Sequence, residues 1–284
     1  MAKARIISIT NQKGGVGKTT TTTNLAITLA LSGFKVLMID LDPQRNASKT
    51  LGLVHPNEAK YTVFDLFFRA NMGPSTFINE TATRFPENLK LIYGSLSLSL
   101  GDGAFMEYAV KNTVNMYDLL RRRLSNDPIW TDYDFVLYDT PPTLSAITQN
   151  ALRSATHILI PLESGDEYSL DGMEQLENAL THAIESDNPE LAWLGVVITK
   201  HDPRYNVCQG MSAAIRSAYK NDVFKTMIGR SVEVMSGLTE KGMPIVLYNK
   251  HNKVAKDYWK LTNEILKRLD LTKPAPIVEE ISNG

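Results

Sequence analysis

The sequence predicts an α/β protein in which helices flank a doubly wound, mostly parallel β-sheet. Seven short apolar runs recur along the chain, and most are continuous rather than alternating, as expected of strands covered on both faces. Segments with helical periodicity separate these runs, and such alternation favours parallel strands joined by crossover helices. The predicted strands are Arg5–Thr10, Lys35–Asp40, Leu89–Tyr93, Tyr133–Asp139, His157–Leu162, Trp193–Thr199 and Phe224–Ile228.

Seven segments between and after these strands have the periodicity of helices. The first follows a glycine-rich turn and stops before Gly33, a residue that favours a left-handed C-terminal cap. Residues 54–88 are the least regular stretch, so we expect a surface excursion there. The predicted helices are Lys18–Ser32, Val114–Leu124, Leu144–Ser154, Leu170–Ser186, Gln209–Lys220, Val232–Lys241 and Lys253–Leu269.

The length of 284 residues suits one large domain, which we place at residues 1–271. Residues 272–284 carry two prolines and no helical apolar face, so we expect a loosely ordered tail. The net charge is −1, and any surface for nucleic acid or membrane must therefore be a local patch.

Cysteine usage and the apolar runs limit the possible classes of protein. The single cysteine, Cys208, excludes an intrachain disulfide framework and an all-cysteine metal site within one subunit. No apolar run approaches the roughly 20 residues that a membrane-spanning helix needs. The N-terminus runs directly into a predicted strand without a signal-peptide pattern, so we expect a cytoplasmic protein.

The turn between the first strand and the first helix carries the strongest functional signal, NQKGGVGKTT at residues 11–20. Its glycines let successive backbone N–H groups point at phosphate oxygens, and the following helix N-terminus favours anions. We expect Lys18 to reach the β- and γ-phosphates of a nucleotide, Thr19 to hold Mg²⁺ through its hydroxyl and Thr20 to donate to the α-phosphate. The predicted nucleotide-binding residues are Lys13, Gly14, Gly15, Val16, Gly17, Lys18, Thr19 and Thr20.

This turn departs from the usual phosphate-loop pattern at its first position. The pattern G-x-x-x-x-G-K-[ST] begins with glycine, where this chain has Gln12, and Lys13 precedes the glycine pair. The segment KGGVGKT resembles the deviant Walker A motif of the ParA, Soj and MinD family of P-loop NTPases. The resemblance implies an ATP- and Mg²⁺-dependent homodimer in which Lys13 crosses the interface and contacts the phosphates bound by the other subunit.

Carboxylates end two further predicted strands. Ligands of doubly wound sheets bind at the carboxyl ends of the strands, where these acids lie. The segment IDLDPQ resembles the switch I motif of the family, which implies that Asp42 orients or activates the attacking water and that Asp40 supports the metal shell. The segment LYDTPP resembles Walker B and switch II, which implies that Asp139 holds Mg²⁺ through water.

The resemblance continues into the C-terminal third, with two departures. IGRSV at residues 228–232 and GMPI at residues 242–245 resemble the family pattern I-P-R-x-V…G-x-P-I. Gly229 replaces the usual proline, and Glu233 stands where arginine is common. At these two positions the resemblance does not predict the rigidity of the adenine loop or a basic residue on the DNA surface. Only four residues precede the first strand, so we expect neither a helix-turn-helix extension nor operator-specific repression.

A basic segment is the candidate DNA surface. The segment between Ala213 and Lys260 contains nine basic and four acidic residues, so its net charge is +5 in a chain of net charge −1. Composition leaves open that these lysines merely coat surface helices, whereas the resemblance implies nonspecific DNA binding by the ATP-bound dimer. The candidate residues are Arg216, Lys220, Lys225, Arg230, Lys250, Lys253 and Lys256.

We therefore predict a ParA-like ATPase that binds DNA nonspecifically, is stimulated by a ParB-like adaptor and segregates plasmid or chromosome DNA or positions another cargo. Such a protein would be cytoplasmic and nucleoid-associated, and no membrane partner is expected. One alternative is a MinD-like membrane regulator, which needs a basic amphipathic C-terminal helix that the tail PAPIVEEISNG lacks. Another is a metabolic ATP-dependent enzyme on the same fold.

Overall fold

The computed structural model describes residues 4–81, 84–125 and 129–271, and these ranges contain an eight-stranded sheet. The strands are β1 (Arg5–Ile9), β2 (Val36–Asp40), β3 (Asn79–Glu80), β4 (Leu89–Ile92), β5 (Phe135–Asp139), β6 (His157–Glu163), β7 (Ala192–His201) and β8 (Val223–Gly229). Their order is β3-β4-β2-β5-β1-β6-β7-β8, and β3 alone among them pairs in the antiparallel sense. The mostly parallel, doubly wound sheet is confirmed.

The described helices are α1 (Lys18–Leu31), α2 (Asn46–Leu51), α3 (Val63–Phe68), α4 (Asp102–Asn112), α5 (Leu119–Leu124), α6 (Ile129–Asp132), α7 (Ala146–Ser154), α8 (Met173–Ser186), α9 (Asn206–Tyr219), α10 (Val232–Lys241), α11 (Ile245–Tyr248) and α12 (Lys253–Arg268). All seven predicted helices are present, although α5 begins five residues later than predicted. Within the described ranges no helix combines the length and apolarity needed to cross a bilayer. The predicted tail at residues 272–284 lies outside these ranges.

Alternate residues of each strand enter two separate cores, one on each face of the sheet. In β1, Ile6 belongs to one core, while Ile7 and Ile9 belong to the other, as the two-residue period of a strand requires. The first core is closed mainly by α3, α4, α5, α7 and α8, and the second by α1, α2, α11 and α12. Both faces are covered, which explains the continuous apolar runs of the central strands.

The expectation of a surface excursion at residues 54–88 was wrong for α3 and for the 3₁₀ turn that follows it. Val63, Leu66 and Phe67 of α3 are fully buried, and so is Phe77 in a short 3₁₀ turn. The ring of Phe67 packs edge-on against Phe105 of α4, with 4.9 Å between the ring centroids. This segment therefore covers one face of the sheet.

Helix α1 carries the phosphate loop on its N-terminus and is buried along most of its length. Its threonine hydroxyls return hydrogen bonds to carbonyl oxygens one turn earlier: Thr22 donates to Lys18 at 2.9 Å and Thr28 to Asn24 at 3.0 Å. The Thr28 hydroxyl also shares a 2.6 Å hydrogen bond with that of Thr262 in α12. Polar side chains thus occupy this buried helix without unsatisfied hydroxyls at these positions.

One arginine closes the amino-end edge of β7 and β8. The guanidinium of Arg268 donates to the carbonyl oxygens of Leu194 and Asp222, at 2.7 and 3.0 Å, and stacks 3.8 Å from the ring centroid of Phe224. It also reaches the carbonyl oxygens of Asn221 and Val223. Gly195 has φ 144°, and a Cβ there would overlap this guanidinium. Glycine at this position is what admits Arg268 to the sheet edge.

Candidate nucleotide-binding site

A cavity of about 510 Å³ opens at the carboxyl-end edge of the sheet, where the phosphate loop was expected. The loop and the start of α1 form one wall, and the ends of β7 and β8 form the other. The wall residues include Gly14, Gly15, Gly17, Lys18, Thr19, Thr20, Asp42, Pro142, Glu163, Thr199, Lys200, Gly229, Arg230, Met235 and Tyr258. A cavity of this size and lining is typical of a small-ligand site.

The backbone of the phosphate loop is held in a conformation that glycine permits. Gly15 and Gly17 have φ of 78° and 91°, in the left-handed region. The side chain of Asn11 fixes the start of the loop, because it accepts from the Lys13 amide at 2.8 Å and donates to the Pro161 carbonyl at 2.8 Å. The predicted nucleotide-binding segment is thus a preformed turn.

Lys18 lies at the base of this turn and is only 7% exposed. Its Nζ donates to the Lys13 carbonyl at 2.9 Å. Burial lowers the pKa of the Lys18 ammonium, and the nearby carboxylates of Asp139 and Asp42 oppose that shift. An ammonium with three donors that is held in the wall of a cavity is suited to binding phosphate oxygens.

Asp139 lies at the end of β5 and is fully buried. Its Oδ1 accepts from Thr22 at 3.3 Å, while Oδ2 has no hydrogen-bond partner within the described ranges. Burial raises the pKa of the Asp139 carboxyl well above its usual value, and the charges of Asp40 and Asp42 raise it further. An unpartnered buried carboxylate oxygen beside the Thr19 hydroxyl fits hydrated Mg²⁺, which this chain would hold through these two residues.

The two acids of the IDLDPQ segment have different surroundings. Asp42 lines the cavity, and its Oδ1 accepts from the Gln44 amide at 2.8 Å. Asp40 is fully buried and accepts from the Ser48 amide at 2.8 Å and the Ser48 hydroxyl at 2.6 Å. Asp40 is absent from the cavity wall, and burial raises its pKa to about 6. Asp40 thus anchors α2 through Ser48, and its expected support of the metal shell stays a prediction.

Lys13 forms an ion pair with Asp166 of the loop after β6. Its side chain is 29% exposed, and the hydrogen bond from Lys13 lowers the pKa of the Asp166 carboxyl. In this single subunit the ammonium is therefore engaged within its own chain. Its expected reach to a second subunit stays a prediction.

Two threonines that join distant strands to the site were missed as functional residues. The Thr199 hydroxyl donates to the Val16 carbonyl at 2.8 Å, which ties the end of β7 to the phosphate loop. Thr140, to which the sequence assigned no chemistry, shares a 2.8 Å hydrogen bond with Thr10 and donates to the Ile9 carbonyl at 2.9 Å. No local pattern signals these contacts, because their partners lie more than 100 positions away in the chain.

Most of the candidate DNA-binding residues lie on the surface of α9, β8 and α12. Lys220, Lys225, Lys253 and Lys256 are exposed, and Arg216 and Lys250 are half-buried. Arg230 is exposed but lines the nucleotide cavity.

The two departures from the family pattern lie close to this surface. Gly229 donates its amide to Asp257 at 3.1 Å. A Cβ at Gly229 would lie 3.3 Å from both Asp257 Oδ2 and Lys253 Nζ, so the glycine allows a close approach of α12. The Glu233 carboxylate accepts from the side chains of Asn249 and Asn252, at 2.7 and 2.9 Å. Glu233 thus fixes the segment that connects α11 to α12.

Comparison with known proteins extends this picture. A family model described as an AAA domain matches residues 4–193. The chromosome partitioning protein ParA of Myxococcus xanthus is 35% identical over 265 residues, which cover 93% of this chain and 88% of the relative. The sporulation initiation inhibitor protein Soj of Bacillus subtilis is 33% identical over 261 residues, which cover 92% and 98%.

Solved structures share the fold. Cobyrinic acid a,c-diamide synthase of Mycobacterium smegmatis, with bound ATP analog and magnesium, has a TM-score of 0.78 and 24% identity, covering 96% of this chain and 98% of that one. A plasmid partition protein from Borrelia burgdorferi has a TM-score of 0.67 and 21% identity, covering 94% and 99%. At these identities the likeness concerns the fold alone.

Proposed function

Because this chain belongs to the ParA/Soj family of partition ATPases, we propose that it is a nucleotide-driven switch that moves DNA or another cargo. It is an ATPase that uses Mg²⁺ as its cofactor. In the proposed cycle two subunits close around ATP, the dimer binds nonspecific DNA, and a ParB-like adaptor stimulates hydrolysis and so releases it. The protein would then reside in the cytoplasm on the nucleoid.

The cavity supports hydrolysis through residues with separate tasks. The loop amides and Lys18 bind the phosphates, and Asp42 orients the attacking water from its place in the cavity wall. Thr19 and Asp139 would hold Mg²⁺, which would supply positive charge beside the transferred phosphoryl group. Thr140 links the end of β5 to β1, and Pro142, two positions later, lines the cavity.

The observation that carries the proposal is the position of Lys13 beside the glycine pair, in an ion pair with a carboxylate at the surface. Such partly exposed pairs contribute little stability, so the lysine can exchange Asp166 for a phosphate of the other subunit at small cost. Closure of the dimer would thus be coupled to nucleotide binding, and the dimer would double the basic surface. Differential DNA affinity of the two states is what makes ATP a switch.

The test is binding to nonspecific duplex DNA with ATP, ADP or no nucleotide. We expect salt-sensitive binding that requires ATP and is lost in Lys13→Ala. Lys35→Ala is the matched control, since Lys35 is an exposed lysine at the opposite edge of the sheet. If no nucleotide state binds DNA, the partition proposal is wrong, and a MinD-like membrane regulator or a metabolic ATP-dependent enzyme becomes the better explanation.

A further inference from the structure

A second lysine of the same subunit enters the nucleotide cavity from strand β7. Lys200 lines the cavity, and its Nζ lies 4.0 Å from the point that a Cβ on Gly15 would occupy. No other atom outside the immediate neighbours comes within 4 Å of that point. The ammonium of Lys200 therefore lies against the part of the phosphate loop that carries the glycine pair.

The backbone around Lys200 is fixed from both sides. Thr199 is tied to the loop through its 2.8 Å hydrogen bond to the Val16 carbonyl, and the His201 carbonyl accepts from the Arg230 amide at 3.0 Å. Between these contacts Lys200 has φ 51°, a left-handed conformation that is uncommon for lysine. Such strain concentrates at functional sites and is retained where the surroundings hold it.

The partner of Lys200 is itself unusual for a nucleotide site. Nζ lies 2.9 Å from Oε2 of Glu163, which also lines the cavity and has a side chain 20% exposed. A carboxylate beside a polyanion is unfavourable unless a cation neutralises it. Two explanations of Lys200 follow: it neutralises Glu163, or it binds the nucleotide while Glu163 positions it.

We propose that Lys200 is a nucleotide-binding residue whose ammonium adds a second positive charge of the same subunit to the phosphate-binding side of the cavity. Three observations favour this over simple neutralisation of Glu163. The ammonium lies 4.0 Å from the point that a Cβ on Gly15 would occupy, the side chain is 42% exposed in the cavity wall, and the backbone of Lys200 is left-handed between two fixed neighbours. A lysine that served only Glu163 would need neither this position beside Gly15 nor this backbone conformation.

The test is equilibrium binding of fluorescent ADP and of adenosine to the full chain without DNA, so that hydrolysis and the DNA proposal do not enter. Lys200→Asn removes the charge while keeping a residue that tolerates the left-handed conformation. We expect its Kd for ADP to rise about tenfold, which corresponds to losing one charge-assisted contact. Adenosine binding should not change, and Lys200→Arg should restore most of the affinity for ADP.

Two controls make the result specific. Lys111→Asn removes an exposed lysine of α4 and should leave the Kd for ADP unchanged. Lys200→Gly also removes the ammonium and relieves the backbone strain, so it replaces Lys200→Asn if that variant does not fold. An unchanged Kd for ADP in a folded Lys200 variant would overturn the proposal.

A double-mutant cycle with Glu163→Gln separates the two explanations. If Lys200 contacts the nucleotide, Lys200→Asn weakens ADP binding by a similar factor whether position 163 carries Glu or Gln. If Lys200 only neutralises Glu163, the loss disappears once Glu163 is replaced, and the proposal is wrong. Both arms use binding as the readout, so a change in turnover cannot imitate either outcome.

Discussion

The two edges of the sheet treat their charged groups in opposite ways. At the amino-end edge, Arg268 donates to four backbone carbonyl oxygens and stacks on Phe224. At the carboxyl-end edge, the buried Asp139 keeps an oxygen without a hydrogen-bond partner in the described structure, and the pKa of Lys18 is lowered by burial. At the amino-end edge, the hydrogen bonds of the charged group are made within the protein. At the carboxyl-end edge, charged groups remain available to bind a ligand, and this lowers the stability of the fold.

The largest expected effect comes from removing the buried ammonium. In Lys18→Met we expect the Kd for ADP to rise roughly 100-fold or more, because the phosphates lose a desolvated cation. The free energy of unfolding without nucleotide should stay equal or increase, since burial of that charge is unfavourable. Urea denaturation and equilibrium ADP binding check both statements. If Lys18→Met lowers the free energy of unfolding strongly and leaves the Kd for ADP unchanged, Lys18 at the carboxyl-end edge serves the fold and not nucleotide binding.

The opposite edge should give the opposite result. In Arg268→Met we expect the free energy of unfolding to fall by about 2–3 kcal/mol, because four backbone carbonyl oxygens, two of them part-buried, lose a charged donor. The Kd for ADP should be unchanged. Lys267→Met is the matched control, since Lys267 is the exposed neighbour on α12. Equal destabilisation in both variants would mean that Arg268 contributes through the helix alone.

The smallest effect concerns pH at the amino-end edge. Burial, and then the charge of Arg5, lower the pKa of His157 from its usual 6.5. The unfolded chain therefore binds this proton more readily than the folded chain, so stability falls as the pH drops below about 6.5. His157→Gln should lose this part of the pH dependence, measured by urea denaturation between pH 7.5 and 5.5. His182→Gln, at an exposed position of α8, should keep the wild-type dependence.

The central strands were predictable because burial on both faces leaves an uninterrupted apolar run, as in β2. Helix α4 was missed for the converse reason. Phe105 and Ala109 are buried, but Met106 and Val110 beside them are 53% and 73% exposed. Both pairs have helical spacing, so the sequence does not show which face packs or that a helix exists.

The phosphate loop was predictable because its functional residues are contiguous. The roles of Asp40 and Asp42 were harder to separate, since both follow the same apolar run two positions apart. Their difference depends on Ser48, which takes up the Asp40 carboxylate only after α2 has folded back. The sequence analysis did not single out Lys200, because its approach to Gly15 joins parts of the chain that are distant in sequence.

The place of β1 in the sheet has a consequence for how the chain is made. β1 is synthesised before the two strands that flank it, β5 and β6, and its register partners are residues 135–139 and 157–159. At about 5–20 residues per second, β1 waits on the order of ten seconds for its neighbours to be synthesised. Until β6 has been synthesised, the phosphate loop lacks one of its two flanking strands, so we expect a nascent chain that ends before β6 not to bind nucleotide. Nucleotide binding is therefore expected only after β6 is made, although the phosphate-loop motif is translated well before it.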